Sequence, residues 1–189
     1  RSLMDSLVVF VEEESAKELL MRILPCLVPE GTQIRVIAFE GKSDLESQLA
    51  RKLRNWQNPS ARFVVLRDQD SGNCLEVKER LKELCLSAGK SEALVRIACH
   101  ELESWYLGDL EAVGTGLSIP GITRSSDKAK FRDPDRLNNA SQELKSLTRG
   151  VYQKISGSRR IAPHMDLAGR NRSTSFNIFC SGVRRLCEG

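Results

Sequence analysis

The chain has 189 residues, 40% apolar and 29% charged, with a formal net charge of +4. That size suffices for a core of its own, and the composition excludes disorder. No apolar run approaches the roughly 20 residues of a membrane-spanning helix. Acidic residues follow the first apolar run at once, so no secretory leader and no membrane are expected, and the protein is placed in the cytoplasm. Arg1 and Ser2 are read as a cloning remnant ahead of Met4 or of a start further upstream.

Leu7–Val11 is continuously apolar and β-branched, the pattern of a buried parallel strand. Ser15 is placed as the cap of a helix carrying Leu19, Leu20, Ile23 and Leu24. Gln33–Ala38 reads as a second strand. Gly41, Lys42, Ser43 and Asp44 form a turn before a helix with Leu45, Leu49, Leu53 and Trp56 on one face. Arg62–Leu66 is a third strand, leading into Arg67, Asp68, Gln69 and Asp70. An amphipathic helix with Leu75, Leu81, Leu84 and Cys85 follows, then a fourth strand at Leu94–Ala98. Trp105, Tyr106 and Leu107 anchor a short helical turn after it.

Beyond Gly108 the alternation stops. Ile119–Ser126 reads as loop, Asp133–Leu147 as helix, Ser156–Arg160 as a basic loop, and Asn177–Leu186 as a closing helix capped by Ser175. Strands alternating with helices mean βαβ units. The expected fold is therefore α/β: a mostly parallel sheet with helices on both faces and a C-terminal helical extension. Residues 1–189 are read as one domain, with an α/β core over 1–110 and a helical and loop extension over 111–189 packed on it.

The six cysteines form no C-x-x-C pair and no zinc-ligand spacing, so they read as reduced thiols, with Cys26, Cys85, Cys99 and Cys180 among apolar neighbours. Basic residues gather late in the chain. Lys154, Arg159, Arg160, Arg170 and Arg172 are candidates for holding a nucleic-acid backbone near the acidic site. The plainer alternative is a solvated basic face.

In open parallel sheets, ligands bind beyond the carboxyl ends of the strands. Here those ends carry Glu12, then Glu40 and Lys42, then Asp68 and Asp70, then Glu101 and Glu103. Crowded carboxylates repel one another unless a cation sits among them. Magnesium, or manganese, suits an all-oxygen set and could activate water against a phosphodiester. Glu12, Asp68, Asp70 and Glu101 are the candidate metal residues. Glu12, Asp68, Asp70, Lys42 and Glu103 are the candidate catalytic ones. Each has a plainer alternative: helix-dipole stabilisation for Glu12, a turn cap for the D-x-D pair, an exposed turn lysine, and a surface pair for the two glutamates. Lys42 lies in Gly-Lys-Ser without the rest of a Walker loop, which speaks against a nucleotide-binding P-loop.

Val11, Glu12 and the acidic turn before an apolar helix resemble the first motif of Toprim domains. Val65-Leu-Arg-Asp-Gln-Asp70 resembles the Toprim D-x-D motif. Glu13 stands where Toprim motifs place glycine. Over nearly its full length the chain also resembles the bacterial family of unknown function 4276. The matching stretches include Gly41–Leu45, Val64–Asp70, Glu101–Trp105, Lys128–Phe131, Lys154–Ser158 and Ser173–Phe176. The resemblance implies a magnesium-using, Toprim-like nuclease with Glu12 as a metal-linked acid or base and Asp68 and Asp70 as ligands. It also implies an ABC-type or overcoming-lysogenization-type ATPase as partner in a bacterial defence system. The alternative is a non-catalytic Toprim-derived subunit regulating such an ATPase.

Overall fold

A computed structural model describes residues 4–189; the reading of Arg1 and Ser2 lies outside them. Four strands, β1 (Ser6–Val11), β2 (Gln33–Ala38), β3 (Ala61–Asp68) and β4 (Leu94–Ala98), form one sheet in the order β2-β1-β3-β4. Every pairing is parallel. Successive side chains point to opposite faces, so each strand feeds two cores. Leu7, Val9, Val11, Val64, Leu66 and Ala98 face one. Val8, Phe10, Phe63, Val65, Val95 and Ile97 face the other. Burial on both faces is why β1 reads as an unbroken apolar run rather than an alternating one.

Helix α1 (Glu14–Ile23) covers the first face with Leu19, Leu20 and Ile23. Helices α2 (Lys42–Arg54) and α3 (Cys74–Ser87) cover the second with Leu45, Leu49, Leu53, Leu81 and Cys85. Residues 103–188 add α4 (Glu103–Leu107), α5 (Leu110–Leu117), α6 (Ala129–Arg132), α7 (Ala140–Leu147), α8 (Lys154–Ile161) and α9 (Thr174–Glu188). These pack on the α1 face: α8 lies against α1, and α9 against β4. Trp105, Tyr106, Tyr152, Phe176 and Phe179 sit in the same continuous core as β1. Among the described residues no helix is long and apolar enough to cross a membrane.

Several sequence expectations need correction. The basic loop expected at Ser156–Arg160 is helical, part of α8. Gly157 in it does not break the helix, because it makes room for the Tyr152 ring: a Cβ there would stand 2.5 Å from the ring. The helix expected over Asp133–Leu147 is interrupted. Pro134–Arg136 forms a 3-10 turn, Leu137 leaves it in extended backbone, and α7 begins only at Ala140. Lys42 belongs to α2 rather than to a turn before it, with Gly41 as N-cap at φ 105°, a conformation that favours glycine. Ser15 lies inside α1, and its hydroxyl donates to Glu13 at 2.8 Å. The cap of α9 is Ser173, not Ser175, accepting the Phe176 N–H. Leu75 is 73% exposed, because it falls on the outer side of α3. All six cysteines are free, as expected, but Cys26 is exposed.

Gly157→Ala should therefore destabilise the protein by about 1–3 kcal/mol, the usual scale of overpacking, although alanine is the better helix former. Urea denaturation of the two proteins measures it. An unchanged or raised midpoint would show that the Tyr152 ring yields freely.

Candidate active site at the carboxyl edge of the sheet

The chain leaves β1 for α1 on one face and leaves the adjacent β3 for α3 on the other. Connections that part in this way open a crevice between the two strand ends, the place where open α/β sheets bind ligands. Glu12 and Asp68 flank it. The Asp68 N–H donates to Glu12 Oε2 at 3.2 Å, which ties the first acidic residue directly to the D-x-D segment.

Burial raises the Glu12 carboxyl above the usual glutamate range, opposed by that N–H and reinforced by Asp70 and Glu13. Asp68 is pushed well up, first by burial and then by the charges of Glu12 and Glu103. Glu103 is itself buried and raised, with Lys154 and the Tyr152 hydroxyl pulling the other way. The Tyr152 O–H donates to Glu103 Oε1 at 2.9 Å, and Tyr106 O–H donates to Ser158 Oγ at 2.6 Å alongside.

Asp70 has φ 53°, and its N–H donates to the His100 carbonyl at 2.7 Å, which fixes the loop after β3 against the chain after β4. Its carboxylate faces Lys42 Nζ at 3.5 Å. Lys42 is thus held at the rim of the crevice by the first turn of α2, while the Gly41 N–H donates to the Glu12 carbonyl at 2.9 Å. Of the two later glutamates, Glu103 turns toward Asp68, and Glu101 accepts the Ser141 N–H at 3.3 Å in the first turn of α7. Glu13 lies in extended backbone, φ −153°, so the position makes no demand for glycine. Its carboxylate pairs with Lys154 Nζ at 3.2 Å.

The donors assembled here are carboxylate oxygens, the chemistry of a site for a hard divalent ion. Among the described residues no three His, Cys, Asp or Glu side chains are gathered closely enough to grip one ion together. Magnesium takes only one or two carboxylates directly and keeps several waters, so a partly open set of this kind fits it.

The late basic residues divide sharply. Lys154 borders the acidic cluster through Glu13 and Glu103. Arg159 is engaged by Glu18 at 2.7 Å, and Arg160 donates to the Gly116 carbonyl. Arg170 grips the buried Asp109 with two bonds at 3.1 and 3.0 Å and also meets Glu111. Arg172 donates to the Ser126 carbonyl. Arg170 and Arg172 line a separate cleft of about 240 Å³ with Leu107, Glu111 and Thr123. Arg170→Ala should therefore lower stability by about 2 kcal/mol, the scale of hydrogen bonds to charged groups, which thermal melts would detect. A variant that melts with the wild type would remove that structural role.

Sequence reasoning reads Tyr106 only as a core anchor and misses Tyr152 and Ser158, which with it build the floor under Glu103. It also misses Arg67, which is buried beside Asp68 on β3 and bonded to Glu46 of α2 at 2.6 Å. The signal for Arg67 was a lone arginine ending an apolar strand run, a place a charge occupies only when paired.

Residues 11–184 match the family described as Domain of unknown function (DUF4276). Two solved structures of the C-terminal region of the Xanthomonas campestris pv. campestris OLD protein are similar to this chain. The one phased with iodine has a TM-score of 0.50 at 14% identity, covering 96% of this chain and 95% of that one. The one phased with mercury has a TM-score of 0.48 at 15% identity, covering 96% of each. At this identity the likeness is one of fold. No curated protein matches the chain.

Proposed function

The chain belongs to the DUF4276 family, and from the acidic crevice at its sheet edge we propose that it is a divalent-metal-dependent, Toprim-like nuclease acting on nucleic-acid phosphodiesters. The observation that carries this reading is the contact of Glu12 with the Asp68 backbone at the parting of β1 and β3. It unites two acids 56 residues apart at the crevice where an α/β sheet binds ligands.

Of Glu12, Asp68 and Asp70, one or two would hold magnesium or manganese directly, as that ion requires. A bound ion there supplies a water of lowered pKa and charge for a phosphoryl oxygen. Glu12, its carboxyl raised by burial, holds or releases a proton next to that water. Glu103, fixed by Tyr152, keeps negative charge under Asp68 and so favours a cation over an empty crevice. Lys42 leaves Asp70 for a phosphate oxygen when substrate arrives, since a half-exposed ion pair at 3.5 Å costs little to exchange. Lys154 reaches the same side. Glu101 serves the first turn of α7 rather than the ion.

The continuous core beneath β1, α4 and α9 supports reading the chain as one folding unit. In the OLD protein this fold is one region of a longer chain. The family resemblance of the sequence is what supports an ABC-type or overcoming-lysogenization-type ATPase as the functional partner here.

A magnesium and manganese cleavage assay on DNA and RNA, with and without a candidate partner ATPase, tests the proposal. Metal-dependent cleavage abolished by Asp68→Asn supports it. If neither ion supports cleavage in any combination, the chain is a non-catalytic subunit.

A further inference from the structure

The late cations expected to hold nucleic acid are mostly engaged elsewhere, whereas a different set carries charge with no acid to meet it. Arg96 lies on β4, an edge strand, on the face it shares with Leu94 and Ala98. Gly182 of α9 sits directly over it: a Cβ there would stand 2.8 Å from the guanidinium. The guanidinium feels Arg185 of α9 and also Lys78 of α3, helices on opposite faces of the sheet. Its Nη1 donates to the Val95 carbonyl at 3.0 Å, and α3 and α9 both pack on β4 beside it.

Among the described residues none of Lys78, Arg96 and Arg185 has a carboxylate within ion-pair distance. The nearby acids Glu79 and Glu83 face Lys82 and Arg80 instead. Arg96 Nε is buried without a hydrogen-bond partner. Burial and mutual repulsion pull both Lys78 and Arg96 below their ordinary values. Three cations gathered where α3 and α9 flank an edge strand form a receptor for a polyanion.

The edge also leads to the acidic crevice. Arg96 is paired in register with Leu66, and Ala98, two residues on, with Asp68. At about 3.3 Å per residue, Arg96 lies about one phosphate spacing along the strand from the level of Asp68.

We propose that the open β4 edge, through Lys78, Arg96 and Arg185, is the track on which the phosphodiester backbone of nucleic acid lies as it enters the acidic site. The inference rests on the nuclease reading for what happens at the end of the track, but binding can be measured without cleavage. Phosphate contacts of this kind release counterions and carry no sequence information. Specificity for DNA or RNA is set elsewhere.

The test is fluorescence anisotropy of the full chain, in EDTA, with labelled duplex DNA and with labelled RNA of equal length, over a range of salt. The Lys78→Ala/Arg185→Ala double variant alters two outward side chains and spares the buried Arg96 stem, and melts confirm its fold. It should bind about tenfold more weakly, with the log–log salt slope shallower by about two, one per lost phosphate contact. Arg159→Ala, its fold confirmed by the same melts, should keep the wild-type slope. Equal slopes in the wild type and the first variant, or a wild type that binds neither probe, overturn the track. Hydrolysis of bis(p-nitrophenyl) phosphate with manganese separates the two ideas, because that small diester needs the crevice but not the track. The first variant should hydrolyse it at the wild-type rate, and a drop there would place these cations in the crevice itself. A wild type that binds DNA with the steep slope yet hydrolyses no diester keeps the track and removes the nuclease.

Discussion

Replacing Asp68 with Asn is expected to abolish metal-dependent cleavage while leaving the metal-free protein as stable as the wild type or more so. Asp68 sits in a pocket where burial and the charges of Glu12 and Glu103 hold its carboxyl well above the ordinary range. A carboxyl raised in this way binds its proton more tightly folded than unfolded. Its stabilising share is complete below the unfolded pKa, about 3.9, and is lost as pH rises through the folded value. Glu12 and Glu103 are raised as well and act with the same sign. Metal-free wild type should thus lose melting temperature between mild acid and neutrality, and Asp68→Asn should lose less. Glu18, Asp44 and Asp166 are shifted down and act with the opposite sign, so the difference between the two proteins' curves carries the test. Magnesium should raise the wild-type melting temperature at neutral pH and leave that of the variant nearly unmoved, since an amide is a poorer ligand for a hard ion. A variant that melts lower at neutral pH, with no magnesium effect on either protein, would make Asp68 a structural cap.

Trp105→Ala should be the most damaging core substitution, costing about 3–5 kcal/mol. The indole is fully buried, packed on Phe176 at 5.1 Å and Phe179 at 5.2 Å between ring centroids. Its N–H donates to Ser175 Oγ at 2.9 Å, and the same hydroxyl oxygen accepts the Cys99 N–H. Truncation therefore opens a cavity and loosens the joint between β4 and α9 together. Trp105→Phe should cost less, because a phenyl ring still fills most of the site while the hydrogen bond and the rest of the indole are lost. Chemical denaturation of both variants checks the order; equal costs would show that the retained phenyl ring contributes nothing.

What the sequence made legible was local. A run such as Leu7–Val11 announces a strand buried on both faces, and an acid directly after such a run lies at the strand's carboxyl end wherever the rest of the chain goes. Glu12, Asp68 and Asp70 were readable for that reason. Tyr152 was not, because its value lies in a bond to Glu103 across 49 residues of chain. The basic residues misled for the same reason. Arg159 meets Glu18 from 141 positions away and Arg170 meets Asp109 from 61, so charges that look available in sequence are already neutralised in space. Arg96 shows the converse: a single arginine inside a strand pattern gave no hint that two helices would bring further cations to it. Glycine and serine favour turns, so Ser156–Arg160 has the look of a loop, and the packing of Gly157 against Tyr152 overrides that preference.

The bond from Tyr152 to Glu103, together with that from Lys154 to Glu13, has a consequence for how the molecule can be divided. The acidic crevice borrows its floor and one wall from the chain beyond residue 150. A fragment ending near residue 110 would keep every acid of the D-x-D motif, yet deprive Glu103 of its Tyr152 donor and strip Trp105 of Phe176 and Phe179. Such a fragment should be recovered insoluble, and adding the missing half as a separate peptide should restore it only if the two associate as tightly as the intact core demands. Any grafting of this site onto another scaffold must therefore carry both halves of the chain.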